Sequence, residues 1–401
     1  MKNQFKKVIL FYPPNEKKHS LYGETIAFLS KHHHLLYTPS KSYSSYSLMR
    51  LSRNYFLRKI YLNFIRPHIS FIELKNIFFP NKNIQKSKNL KFDLIYSTNY
   101  IPSIPGSYIL DLENVSALGG YDYYRLNKSK IGQSFESDDC KAIICWNEAS
   151  KESLLATIKS EKFIKKIHVL PFAIKKERIK KKLQIGKIRL LFVSSINNPQ
   201  DFEMKGGIIA LEVYKELVDR FNNIEFVIRS KLSNRIKKKY SNLKNLVLIE
   251  EYLSDKEFSK LLSETDILLE PIPGIQLMIE CLKFRIPAVV FDFWAAPEII
   301  FDGKNGFIID SRSIFGDKKN MKKYIQNMGH NFLKLYSPVK KSVFNEYINK
   351  TSILISNKML RDKMMRYANN LLNKGRPYNS QQRNKLLLNI INRATKSSVK
   401  I

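Results

Sequence analysis

The sequence predicts an α/β protein made of two Rossmann-like domains, and three observations predict it. Short, continuously apolar runs of strand length recur along the whole chain. Between them lie longer segments whose apolar residues fall at helical spacing, the alternation expected of a parallel sheet covered on both faces. A polar, basic stretch, Lys175–Lys187 with Gly186, divides that alternation into two halves and reads as the linker.

In the first half the strand candidates are Val8–Tyr12, Leu35–Tyr37, Asp93–Ser97, Tyr108–Asp111, Ala142–Trp146 and His168–Pro171. Helices are expected over Tyr22–Ser30 and Asn147–Ile158, and an exposed loop over Asn81–Asn89. The second half is clearer. Strands are expected at Ile188–Ser194, Ile224–Ile228, Leu246–Ile249, Asp266–Leu269, Ala288–Phe291 and Gly306–Ile309, separated by helices at Gly207–Phe221, Asp255–Glu264 and Ile275–Phe284. In the first of these helices Ile208, Leu211, Val213, Tyr214 and Leu217 share one face. From Lys318 onward the chain reads as helical, broken at Gly375-Arg376-Pro377 before a last helix at Ser380–Ala394. The division expected is a domain over 1–175, a second over 188–375, and a C-terminal helix over 376–401.

Composition narrows the function classes. The 401 residues carry 69 Lys and Arg against 35 Asp and Glu, a formal charge of +34, which attracts anionic lipid, nucleic acid or phosphorylated substrates. Abundant Lys, Asn and Ile also suits an AT-rich genome, the plainer source of that excess. No apolar run approaches the roughly 20 residues of a membrane-spanning helix, and Lys2, Lys6 and Lys7 precede too short a core for a secretory signal. Cys140, Cys145 and Cys281 lack zinc-ligand spacing and read as reduced core thiols. A cytoplasmic protein is expected. Leu48–Arg66, basic and rich in aromatics within an acid-free stretch from Thr25 to Ile72, reads equally as a helix on an anionic membrane surface or as a core helix with a basic face. His32-His33-His34 point in different directions on any regular element and are expected on a solvated loop. Asp111-Leu-Glu113 has the spacing of a metal motif but none of its companions. Dinucleotide, Walker, hydrolase-elbow and RNA-binding motifs are all missing from the sequence, so nucleic acid is not an expected partner.

The informative residues lie in the second half. Asn198-Pro-Gln-Asp-Phe-Glu-Met-Lys205-Gly-Gly207 follows a strand and opens a helix. There Lys205 can bring an ammonium to phosphate oxygens, Gly206 or Gly207 allows close backbone approach, and the helix start offers free N–H groups. Pro273-Gly274-Ile275 opens the next helix in the same manner, with Glu280 further along it. Pro297-Glu298-Ile-Ile-Phe-Asp-Gly-Lys-Asn-Gly306 forms a closing turn before the last strand. In this order, and together with Ala142–Trp146 running into Glu148 and with Lys166–Ala173, these stretches resemble the family-4 retaining glycosyltransferases over roughly residues 90–310.

The resemblance implies the GT-B fold, two Rossmann-like domains facing a central cleft, with the donor held by the C-terminal domain. It implies transfer of a sugar from a nucleoside diphosphate sugar to a glycan or lipid-linked acceptor in cell-surface polysaccharide synthesis, at the inner membrane face, with configuration retained. No cofactor or metal is implied. Lys205 and helix termini would stabilise the leaving group, and Glu280 would accept hydrogen bonds from ribose hydroxyls. Gly206, Gly207, Pro273, Gly274, Ile275 and Glu298 complete the donor set, although Glu298 suits a helix cap equally well. Gly23 would lie in a loop facing the donor phosphates, and Glu113 and Asn114 near the transferred sugar. The chain departs from the family pattern at Ile272, where a Glu is usual, and at Ser195-Ile196-Asn197, where a basic residue is usual. Arg229 or Lys231 can substitute as the missing phosphate cation or serve as surface charge. These departures keep a second reading open: a GT-B-like scaffold for a polyanion or a partner enzyme.

Overall fold

A computed structural model describes residues 7–12, 22–37, 60, 90–119, 123–172, 179, 181, 186–331, 335, 339–373, 376 and 378–396. Leu48–Arg66 (apart from Ile60) and the Asn81–Asn89 loop therefore lie outside the described residues.

Strands apolar on both faces pair parallel, and each half of the chain does so. The first half runs β1 (Val8–Tyr12), α1 (Gly23–His32), β2 (His34–Tyr37), β3 (Leu94–Thr98), β4 (Tyr108–Leu112), α2 (Lys128–Glu136), β5 (Cys140–Cys145), α3 (Glu148–Thr157) and β6 (Ile167–Val169). Its described strands form one parallel sheet in the order β2-β1-β3-β4-β5-β6. All five residues of β4 are buried, as a central strand between helical layers requires. Helix α2 was not expected; Gly132 and three polar residues blur its period, and Asn127 caps it by accepting from the Lys130 N–H.

The second half runs β7 (Ile188–Val193), α4 (Pro199–Met204), α5 (Gly207–Val218), β8 (Ile224–Arg229), α6 (Asn234–Lys239), β9 (Leu246–Ile249), α7 (Asp255–Ser263), β10 (Ile267–Leu269), α8 (Ile275–Phe284), β11 (Ala288–Phe291), α9 (Ala296–Ile299) and β12 (Gly306–Ile309). The parallel sheet has the order β12-β11-β10-β7-β8-β9. Its first and fourth strands, β7 and β10, are therefore neighbours, and the winding reverses between them. In open parallel sheets the crevice at the strand C-terminal ends of such a switch point is where ligands bind.

The remaining elements are α10 (Arg312–Phe315), α11 (Met321–Asn331), α12 (Lys341–Ser356), α13 (Lys358–Leu371) and α14 (Ser380–Lys396). Helix α11 packs on α3 of the first half, α12 on α5, α13 on α8, and α14 on α1, β4 and β5. Beneath α14 lies a buried polar cluster. The Asp111 carboxylate accepts from the hydroxyls of Tyr96 and Tyr22 and from the indole N–H of Trp146. Arg383 of α14, only 4% exposed, stacks 6.0 Å from the Phe172 ring centroid. Burial pushes Asp111 above the usual carboxylate range, while the Tyr96 bond and the Arg383 charge pull it back.

The histidine tract is a correction. It bridges α1 and β2 rather than a solvated loop, and His33 is 6% exposed with neither ring nitrogen hydrogen-bonded among the described residues. Burial, reinforced by His32, lowers its pKa.

Candidate functional site

The chain between β7 and α5 was expected as a loop and is instead helix α4. The Asn198 side chain caps it by accepting from Gln200 N–H at 3.2 Å, and Pro199 occupies its first turn, where a missing N–H costs nothing. Lys205 terminates α4, and Gly206 follows in the left-handed region with φ +81°. A Cβ on Gly206 would lie 2.8 Å from the Pro271 ring, and one on Gly207 only 2.3 Å from the Phe202 ring. The glycine pair thus lets the turn into α5 press against the β10 loop.

That turn aims Lys205 back over the C-terminal end of β7. Its Nζ lies 3.2 Å from the Val193 carbonyl and 3.0 Å from Oε1 of Glu270, the residue directly after β10. Glu270 is fully buried, and its other oxygen accepts from the Val193 N–H at 3.0 Å. Burial raises the Glu270 carboxyl, opposed by the Lys205 charge and these bonds. An ammonium has three donors. Two are committed to the domain, and the Lys205 side chain remains 31% exposed.

Arg229, at the end of β8, holds the adjacent carbonyl: its Nη1 lies 3.1 Å from Ser194 O. Two cations therefore bracket the last residues of β7. The Arg229 Nε, Ser194 Oγ and Asn198 Nδ2 are buried without a hydrogen-bond partner among the described residues. Burial lowers the Arg229 pKa. The three atoms lie after β7, at the end of β8 and at the cap of α4, and an unsatisfied polar atom is costly to bury.

The β10 side of the crevice is formed by Glu270-Pro271-Ile272-Pro273-Gly274. Ile272 is 6% exposed and belongs to the core, and its N–H donates to the Lys205 carbonyl at 3.3 Å. Gly274 is exposed at the start of α8, open space lies where its Cβ would stand, and no side chain caps that helix. The positive end of the α8 dipole lies at that start. Glu280 is half-buried in the second turn of the same helix. Lys205, Gly206, Gly207, Arg229, Pro273, Gly274 and Ile275 are thus brought to the C-terminal edge of β10, β7 and β8.

Glu298 stands elsewhere. Its two carboxylate oxygens accept from the N–H groups of Glu148 (2.8 Å) and Ala149 (2.9 Å), the first turn of α3 in the other half. Its carbonyl accepts from Tyr378 Oη at 2.6 Å. Burial raises the Glu298 pKa and the two amides lower it. Glu298 is a clasp between the loops that follow β11 and β5, so the C-terminal edges of the two sheets face each other.

On the facing sheet, Glu113 and Asn114 follow β4. The Glu113 N–H donates to Asn99 Oδ1 at 2.8 Å, and its carbonyl accepts from the Ser150 hydroxyl. Asn114 Oδ1 accepts from the Ser116 hydroxyl and, at 3.2 Å, from Ala117 N–H, which caps the short helix at Val115–Gly119. Gly23 is exposed at the N-terminus of α1 with nothing near its Cβ position. Sequence reasoning missed Glu270, the ion-pair partner of Lys205, because nothing local ties it to a residue 65 positions away.

No family profile and no curated protein matches this sequence. Solved structures do match. WaaG, a glycosyltransferase involved in lipopolysaccharide biosynthesis, superposes with a TM-score of 0.57 at 13% identity over 94% of this chain and 99% of its own. Anabaena HepE in complex with UDP and glucose gives 0.56 at 10% identity, over 96% and 99%. S. aureus TarM, in complex with fondaparinux, α-GlcNAc-glycerol and UDP, gives 0.52 at 16% identity; the match covers 77% of this chain and 58% of TarM. At these identities the likeness establishes the fold: two parallel α/β domains in the GT-B arrangement.

Proposed function

We propose that this GT-B chain is a glycosyltransferase that takes its sugar from a nucleoside diphosphate sugar. One observation carries the reading: Lys205 stands at the β7–β10 switch point with one donor uncommitted, flanked by the starts of α5 and α8. A diphosphate placed there would meet that ammonium, the Arg229 guanidinium and the positive end of the α8 dipole at Gly274. The sheet order and the glycosyltransferases of the same fold, solved with UDP in HepE and TarM, support the placement.

In the reaction the bond between the sugar C1 and the β-phosphate oxygen breaks, and its electron pair stays on the diphosphate. The acceptor hydroxyl oxygen bonds to C1 and releases its proton, for which the departing phosphate is the nearest base. Charge grows on the diphosphate at that moment, so cations already fixed by Glu270 and the β7 carbonyls stabilise the transition state without reorganising. Glu280, in α8, is assigned to the ribose hydroxyls. The N-terminal domain, with Glu113 and Asn114 after β4, would present a glycan or lipid-linked acceptor, and Gly23 at the start of α1 would face the donor phosphates. Retention of configuration and a role in cell-surface polysaccharide synthesis belong to the same proposal. Ile272 supplies no carboxylate where the resemblance places one, so contacts to the sugar must come from other groups.

The test is transfer or donor hydrolysis with a panel of UDP- and GDP-sugars. At least one donor is expected to turn over, and Glu280→Ala to raise its KM. If no donor turns over or binds, the chain is a non-catalytic scaffold on the same fold.

A further inference from the structure

The outer side of the second domain carries a cavity of about 520 Å3, within the roughly 300–1,000 Å3 of pockets that take small molecules. Its walls are Ile208 and Ile209 from α5, Ile236 and Tyr240 from α6 and its end, and Val339 and Phe344 at the start of α12. All six are buried or half-buried. Lys205, Arg229 and Glu280 are not among the lining residues, so the cavity is separate from the donor site and the inference does not depend on the donor reading.

The rim is charged. Glu212 is already neutralised by Lys239 at 2.6 Å and accepts from Tyr240 Oη at 2.5 Å. Arg235 is 3.8 Å from Glu203, and Lys341 has no ion pair among the described residues. Lys341 is also the first residue of α12, a 16-residue helix whose N-terminus has no side-chain cap and no acidic residue in its first turn. Lys340 and Lys341 thus place two positive charges at the positive end of a helix dipole, an unfavourable arrangement that an anion would reverse.

We infer that the cavity binds an aliphatic chain with a terminal anion. The chain lies among the isoleucines, Val339 and Phe344, and the anion sits at the uncapped N-terminus of α12 beside Lys341 and Arg235, while Lys239 stays paired with Glu212. The apolar walls supply affinity through area removed from water, and the rim supplies the preference for charge. Because Ile208 and Ile209 follow directly on Gly207, an occupant would press on the first turn of α5, two residues after Lys205.

The test uses the full chain with oleate, its uncharged analogue monoolein, and phosphatidylglycerol or phosphatidylcholine vesicles. Oleate is expected to bind saturably, one per chain, and monoolein about tenfold more weakly or worse. Ile236→Trp, which fills the cavity, should weaken oleate by at least about tenfold. Lys341→Glu, an exposed change that folding tolerates, should weaken oleate and leave monoolein unchanged, with thermal melting confirming that both variants are folded. Retention on phosphatidylglycerol vesicles that Ile236→Trp abolishes identifies a bilayer lipid as the source. Oleate binding combined with vesicle retention indifferent to Ile236→Trp identifies a free fatty chain. Absence of saturable oleate binding, equal affinity for monoolein, or full oleate affinity in a folded Ile236→Trp variant overturns the inference.

Discussion

Lys205 spends two of its three donors inside the domain, on Val193 O and Glu270, and this dual role makes its substitution ambiguous unless Glu270 is changed with it. Lys205→Ala strands a buried carboxylate and should cost about 1–3 kcal/mol of stability as well as activity. The double variant Lys205→Ala/Glu270→Gln removes the stranded charge, so urea unfolding should show most of that stability restored. Transfer should stay about 100-fold or more below the parent, the scale of losing one preorganised donor. Recovery of activity along with stability would reduce Lys205 to a structural residue.

The three buried thiols give a second test at the same scale. Burial pushes Cys140 up to about 11, Cys145 up to about 12, and Cys281 higher still. An unfolded thiol ionises near ~8.5. The folded state therefore holds protons that the unfolded chain releases, so this stability is whole below that value and is lost as pH rises through the folded values. Each thiol contributes at most about 1.4 kcal/mol per pH unit in that window. Two lysines lowered by burial oppose them, Lys181 (to about 8) and Lys318. Unfolding free energy should fall between pH 8 and 10, and less steeply in Cys281→Ala.

Among the elements, strands were the most legible in the sequence. Ala288–Phe291 and Gly306–Ile309 stand at the expected limits because a buried parallel strand is an unbroken apolar run, and Leu246–Ile249 does too, although as the edge strand it leaves Val247 and Leu248 exposed. Helix α4 was not legible, since Asn198-Pro199-Gln200 reads as a turn until the Asn side chain is seen to cap the six residues that follow. The turn from α4 into α5 depends on Gly207. Gly207→Ala must displace the Phe202 ring and should cost on the order of 1–3 kcal/mol, read as a lower melting temperature. Glu298 could be placed in the closing turn from sequence, but its partners, the α3 amides, are about 150 residues away and leave no local pattern. Glu298→Ala removes a cap from α3 and should cost about 0.5–2 kcal/mol. Hydrogen exchange at Glu148 and Ala149 should rise with it, which a role confined to ligand binding would not produce.

For the whole molecule, the two-domain plan was readable because the alternation of strand and helix repeats on either side of a basic stretch. The joints between the halves were not, because they are made by side chains distant in sequence. Helix α14 is fixed to the first domain where Arg383, stacked on Phe172, lends its charge to the buried Asp111, and leaving a buried polar group without its partner typically costs about 1–3 kcal/mol. Arg383→Met should loosen the first domain strongly, whereas the joint change Arg383→Met/Asp111→Asn should recover part of the loss. The charge of +34 also persists as a property of the whole surface, so any association with anionic vesicles through it should weaken as salt rises.

The central claim is that a nucleoside diphosphate is held at the β7–β10 switch point by Lys205, Arg229 and the start of α8. Calorimetric titration of UDP and of GDP into the parent chain and into Lys205→Ala/Glu270→Gln tests it most directly. One nucleotide should bind per parent chain, and affinity should fall by at least about tenfold in the folded double variant. A parent chain that binds neither nucleotide, or a double variant that binds as tightly as the parent, contradicts the claim.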